Sequence, residues 1–115
     1  MEARASAAGP EEVGMSVLEI VRITCQEGRG DDFVEALKGG LTVQGADPEC
    51  LSAEFLRGVE RPDEFILQIG WTSVEAHDAW RSAHREEWRS HIWHLIEGTP
   101  QLLGHYVFQA RVKGD

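Results

Sequence analysis

Apolar and polar positions alternate with period two in four stretches of this chain and follow a helical period in two others. Val17–Thr24 (VLEIVRIT) puts Leu18 and Ile20 on one side and Val17, Val21 and Ile23 on the other. That predicts a strand covered on both faces. Gln26–Gly30 reads as a turn, and Asp31 as the N-cap of a helix. Phe33, Ala36, Leu37 and Leu41 recur at helical spacing, and Gly39-Gly40 weakens the last turn. After a loop at Gln44–Glu49, Leu51–Arg57 alternates as a strand. Gly58–Asp63 connects it to Glu64–Trp71, whose Phe65, Leu67, Ile69 and Trp71 share one face and Ile66, Gln68 and Gly70 the other. Thr72-Ser73-Val74-Glu75 fits a capping box. The helix it starts meets no Pro or Gly before Gly98, so it can run to Glu97, with Ser82–His84 as a point of break. Gly98-Thr99-Pro100 ends it, and Leu103–Val112 is the last strand.

The order β-α-β-β-α-β predicts an α+β fold, a ferredoxin-like sandwich with an antiparallel sheet and both helices on one face. The other sheet face is apolar as well. A second copy packed through that open face would cover it, giving a homodimer closed into an α+β barrel. Residues 1–15 lack periodicity and read as a disordered leader before a domain over residues 16–113. Met15 is an alternative start.

All four tryptophans and four of the five histidines fall within residues 71–94. At about 100° per residue, His77, Trp80, His84, Trp88, His91 and Leu95 lie within an arc of roughly 80°. A core stripe is built more simply from aliphatic residues. Imidazole alternating with indole suits a pocket for an aromatic ligand, in which Trp80 and Trp88 stack on a planar ring and His77, His84 or His91 serves as a general base. Trp71 either lines that cavity or plugs the barrel end. His105 faces either the cavity or the dimer. Arg85, Glu86, Glu87 and Arg89 read as a solvated helix face, with Arg89 available to a substrate carboxylate.

The net charge of −9 argues against a nucleic-acid partner. No apolar run approaches the length of a membrane span, and the layout of a signal peptide is absent, so the expected location is cytoplasmic. Cys25 and Cys50 read as small buried thiols rather than nucleophiles. His91 and His94 are spaced to chelate, but no carboxylate completes a metal set.

Four motifs in order add a resemblance: Asp47-Pro48-Glu49-Cys50-Leu51-Ser52, Arg61-Pro62-Asp63-Glu64-Phe65-Ile66-Leu67, Trp71-Thr72-Ser73-Val74-Glu75-Ala76-His77, and Ser82-Ala83-His84. Together they resemble the antibiotic biosynthesis monooxygenase family of dimeric α+β barrels. The resemblance implies a cofactor-independent monooxygenase that uses O2 to oxidise an aromatic polyketide, anthrone or quinol-like substrate. The stripe and the resemblance together give Trp71, His77 and His91 as the expected catalytic residues, and Phe65, Leu67, Trp80, His84, Trp88 and Arg89 as the expected substrate-binding residues. In the family's anthrone oxygenases a Trp matches Trp71, and an Asn stands where this chain has Leu67. The histidines must therefore carry more of the proton chemistry here. The alternatives are a polyketide cyclase using the same cavity, and a non-catalytic ligand- or heme-binding barrel in which His91 is the axial ligand.

Overall fold

The computed structural model describes residues 16–114, so the expected leader lies outside the described residues. The elements are β1 (Val17–Cys25), α1 (Gly30–Gly45), β2 (Cys50–Arg57), β3 (Glu64–Trp71), α2 (Val74–Ile92), a 3-10 turn (Trp93–Leu95) and β4 (Ile96–Tyr106). They form one antiparallel sheet in the order β2-β3-β1-β4. This is the ferredoxin-like α+β arrangement expected.

The alternation in β1 and β3 decides which side chains meet the helices. Ile23 faces Phe65 across the β1–β3 ladder, Val21 faces Leu67, and Glu19 faces Ile69. Phe65, Leu67, Ile69 and Trp71 are fully buried. They pack with Phe33, Leu37 and Leu41 of α1 and with Trp80 and Ile92 of α2. The Phe33 and Phe65 rings meet edge to face at 5.0 Å, a favourable aromatic geometry. On the opposite sheet face Leu18, Ile20 and Ile66 are only half-buried, while Leu56 and Tyr106 are exposed.

The capping residue of each helix differs from expectation for a local reason. Asp31 does not cap α1: Arg29 holds the N-cap position, and the Asp31 carboxylate pairs with Arg57 Nη1 at 2.8 Å. Asp31 and Asp32 instead lie in the first turn, where negative charge suits the helix dipole. At α2 the cap falls on Ser73, whose hydroxyl accepts from the Ala76 N–H at 3.0 Å. Such a cap is worth about 1 kcal/mol. The Thr72 hydroxyl is already engaged by the Glu49 carboxylate.

Gly39-Gly40 does not weaken α1, which continues to Gly45. A Cβ on Gly39 would lie 2.9 Å from His91 Nδ1, and one on Gly40 would lie 3.4 Å from Trp88 Nε1. The paired glycines make room for α2, and that packing outweighs their poor helix propensity.

The end of the chain needs the largest correction. Helix α2 is unbroken at Ser82–His84 but stops at Ile92, not near Glu97. The backbone N–H of Gln26 donates to the Leu95 carbonyl at 2.8 Å, and its side-chain amide donates to His94 O at 3.1 Å. These bonds take carbonyls that a continuing helix would use. Strand β4 then spans Ile96–Tyr106 rather than Leu103–Val112. Gly98, Thr99 and Pro100 lie inside it. An edge strand tolerates Pro, because one row of its N–H groups needs no partner. Two register shifts against β1 absorb the irregularity.

Candidate functional site

A buried carboxylate is the centre of the site. Glu19 sits on the helix-facing side of β1 and is only 5% exposed. Its Oε1 accepts a 2.8 Å hydrogen bond from Trp71 Nε1. His77, in the first turns of α2 and 2% exposed, places Nε2 3.3 Å from the same oxygen. On its far side His77 Nδ1 is 2.7 Å from Nε2 of His105 on β4. The His77 ring stacks on Trp71 with centroids 5.3 Å apart and planes 18° from parallel. Three strands and a helix thus converge on one polar cluster inside an apolar layer.

Burial sets the proton affinities. Removal from water pushes the Glu19 carboxyl up to about 6, although the Trp71 hydrogen bond and the nearby Arg81 charge act the other way. Burial, helped by His105, pushes His77 down to about 4. At neutral pH the cluster therefore holds an ionised Glu19 beside a neutral His77. The partners fix the tautomer: a proton on His77 Nε2 faces the carboxylate, leaving Nδ1 to accept from His105 Nε2–H. Glu19 is then a carboxylate with a proton affinity close to neutrality, the condition for an efficient general base.

Glu19 and His77 form one end of a cavity of about 250 Å³ between α2, the end of α1 and the β1–β4 edge. Trp80 and Trp88 supply its flat apolar wall, and Val21 and Leu102 face them from the sheet. Arg81, Arg85 and Arg89 stand along its α2 edge, and Thr99 and Pro100 along its β4 edge. Gln44 of α1 also lines it and is 1% exposed. Among the described residues its Oε1 has no hydrogen-bond partner, and neither do the indole nitrogens of Trp80 and Trp88. Buried polar atoms without partners are uncommon in folded proteins.

The expected site residues divide. His77, Trp80, Trp88 and Arg89 line the cavity. Trp71 lies behind it, holding Glu19. His84 stands outside the lining, with its ring 6.2 Å from Trp80 and Nδ1 3.4 Å from Glu87. Phe65 and Leu67 are buried in the core, Phe65 packed against Phe33 and Phe55, and neither is among the residues that line the cavity. His91 does not line the cavity either: it is exposed and packs over Gly39 of α1. Because α1 covers one edge of the His–Trp stripe and the cavity the other, an 80° arc is too wide to face a single site. Neither Cys25 nor Cys50 is bridged, and burial raises the proton affinity of both thiolates. Among the described residues no group of three or more His, Cys, Asp or Glu side chains is arranged to hold a metal ion. No helix there is long and apolar enough to cross a membrane.

Sequence reasoning overlooked Glu19 and left His105 open. The signal for Glu19 was present: it alternates with Leu18 and Ile20 on the face that Val17, Val21 and Ile23 turn inward.

Solved structures share this fold. One is a Bordetella bronchiseptica protein assigned to the antibiotic biosynthesis monooxygenases, with 24% identity over 84% of this chain and 99% of that one, and a TM-score of 0.77. A Nitrosomonas europaea protein of the same assignment gives 18% identity over 84% and 92%, with a TM-score of 0.71. SnoaB, a cofactor-independent oxygenase from Streptomyces nogalater, gives 13% identity over 87% and 99%, also with a TM-score of 0.71. No curated protein matches the sequence significantly. The sequence model of the antibiotic biosynthesis monooxygenase family matches residues 16–92, from the start of β1 to the end of α2. That span holds Glu19, Trp71, His77, Trp80 and Trp88, and the chain belongs to the antibiotic biosynthesis monooxygenase family.

Proposed function

We propose that this protein is a monooxygenase that needs neither metal nor flavin and oxidises an anthrone or quinol-like aromatic substrate with O2. The observation that carries the reading is an ionised Glu19, flanked by neutral His77, at the end of an indole-walled cavity. The likeness of fold to SnoaB, a cofactor-independent oxygenase, supports it.

Glu19 takes a proton from the activated methylene or phenol of the bound ring. The resulting anion is electron-rich enough to pass one electron to O2, giving a substrate radical and superoxide. Their recombination forms a carbon–oxygen bond, and a proton returned to the peroxide completes a hydroperoxide. With an anthrone, loss of water leaves the quinone: one oxygen atom enters the product and the other leaves as water. The protein's share is proton removal, ring placement and exclusion of water. Trp71 and His77 act by holding the Glu19 carboxylate. Trp80 and Trp88 hold the ring.

The half-buried Leu18, Ile20 and Ile66, with exposed Leu56 and Tyr106, support pairing of two copies through the open sheet face. Light scattering tests this pairing, with a monomer as the result against it.

The decisive experiment measures O2 uptake and product mass with anthrone, using protein freed of metal by chelation. Uptake with a product one oxygen richer and two hydrogens poorer is expected. A product formed without oxygen incorporation would favour the cyclase alternative, and no turnover of any anthrone or hydroquinone would remove the oxygenase reading.

A further inference from the structure

We infer that the cavity takes an aromatic substrate carrying an anionic group, a carboxylate in the simplest case, bound by the arginine edge of α2 with the reacting ring pointed at Glu19. The inference rests on the aromatic-ligand reading of the same cavity.

Arg81, Arg85 and Arg89 are spaced four residues apart, which places them in a row along one side of the helix. All three border the cavity. They are concentrated there although the chain has only 11 basic residues against 20 acidic ones. Among the described residues, none of the ion pairs involves them. Arg89 is instead stacked over Trp93, its guanidinium carbon 5.0 Å from the ring centroid. Like charges four residues apart on a helix destabilise it. A row of three therefore has a cost that an anion would remove.

A second observation points to the same ligand from inside. The amide of Gln44 is buried, lines the cavity and leaves Oε1 without a donor. An acceptor in that position suits a hydroxyl on the ligand. Arg81 lies close enough to Glu19 for its charge to act on that carboxyl. A ligand anion is repelled by Glu19 and drawn to Arg85 and Arg89, about one and two turns further along α2. The charges that give affinity thus select which end of the ring system meets the base. Guanidinium groups grip carboxylates through paired, charge-assisted hydrogen bonds.

The test is titration calorimetry with 1-hydroxy-2-naphthoate and with its methyl ester, which has the same ring and no charge. The acid is expected to bind at least about tenfold more tightly, the equivalent of one charge-assisted hydrogen bond. That preference should shrink as salt is raised from low ionic strength to about 1 M, where screening acts within roughly 3 Å. In the Arg85→Gln/Arg89→Gln double variant, the acid's affinity should fall to the ester's, and circular dichroism would verify the fold. Equal affinities of acid and ester, or a preference that survives in the double variant, would overturn the anionic class while leaving an aromatic site in place. Failure of both ligands to bind would overturn the aromatic reading and this inference with it.

Discussion

Trp71 Nε1 donates to Glu19 Oε1 at 2.8 Å across the neighbouring strands β3 and β1. The bond stabilises the ionised carboxylate in a place where burial opposes ionisation. It therefore tunes the proton affinity of Glu19 from a residue that does not line the cavity.

If Glu19 is the base, kcat/KM for oxygen uptake should rise with pH through a midpoint near 6, where the free carboxyl ionises. Glu19→Gln should lower the rate by about 10²-fold or more, the usual share of a general base. A pH-independent kcat/KM between pH 5 and 7 would remove Glu19 from that role.

Trp71→Phe keeps most of the ring but deletes the donor. The hydrogen bond favours the charged carboxylate, so its loss should move the midpoint of the pH profile upward. Stability should drop by about 1–3 kcal/mol for the orphaned acceptor. An unchanged midpoint in a folded variant would show that Trp71 is only a packing residue.

Acid stability carries opposing contributions. His77 ionises less readily folded than unfolded, so its contribution is present above pH 6.5 and lost as pH falls towards 4. Glu19 is protonated more readily when folded, so its contribution is present below pH 4.5 and lost as pH rises through about 6. Acidification from pH 7 to 4 should cost about 3 kcal/mol through His77 and return about 2 kcal/mol through Glu19. Urea denaturation at the two pH values should show a steeper acid loss in Glu19→Gln than in the wild type. A shallower loss would reverse the assigned shifts.

Two histidines at equivalent phases of the sequence pattern should behave differently. His77→Ala should cut activity sharply, because it removes a neutral group packed on Glu19, Trp71 and His105. His91→Ala should leave oxygen uptake within about twofold, as expected of a surface change away from the reacting atoms. Equal losses in both would return His91 to the site.

Much of this was legible in the chain. Strands β1 to β3 follow from their alternation, and the start of α2 from its cap, because local pattern and tertiary burial agree there. Strand β4 was misplaced because Gly98 and Pro100 read as interruption. On an edge strand they are only irregularities, and no local signal says which strand is an edge. Glu19 was passed over because a single charge in an apolar run looks like a surface position. Only the β1–β3 register shows that Trp71 can reach it. His91 shared the phase of His77, but the helix pattern does not tell where α1 crosses.

That crossing reaches further than helix packing. Gly39 and Gly40 supply no wall to the cavity, yet the room they leave for His91 and Trp88 sets how closely α2 rides on α1. The indole of Trp88 is thus held from behind by missing side chains. A Cβ added at Gly40 would meet that indole at 3.4 Å, contact distance, so a side chain larger than a methyl group there would press on it. The width of the slot, and with it the thickness of ring it admits, is adjustable from a position that no substrate would touch.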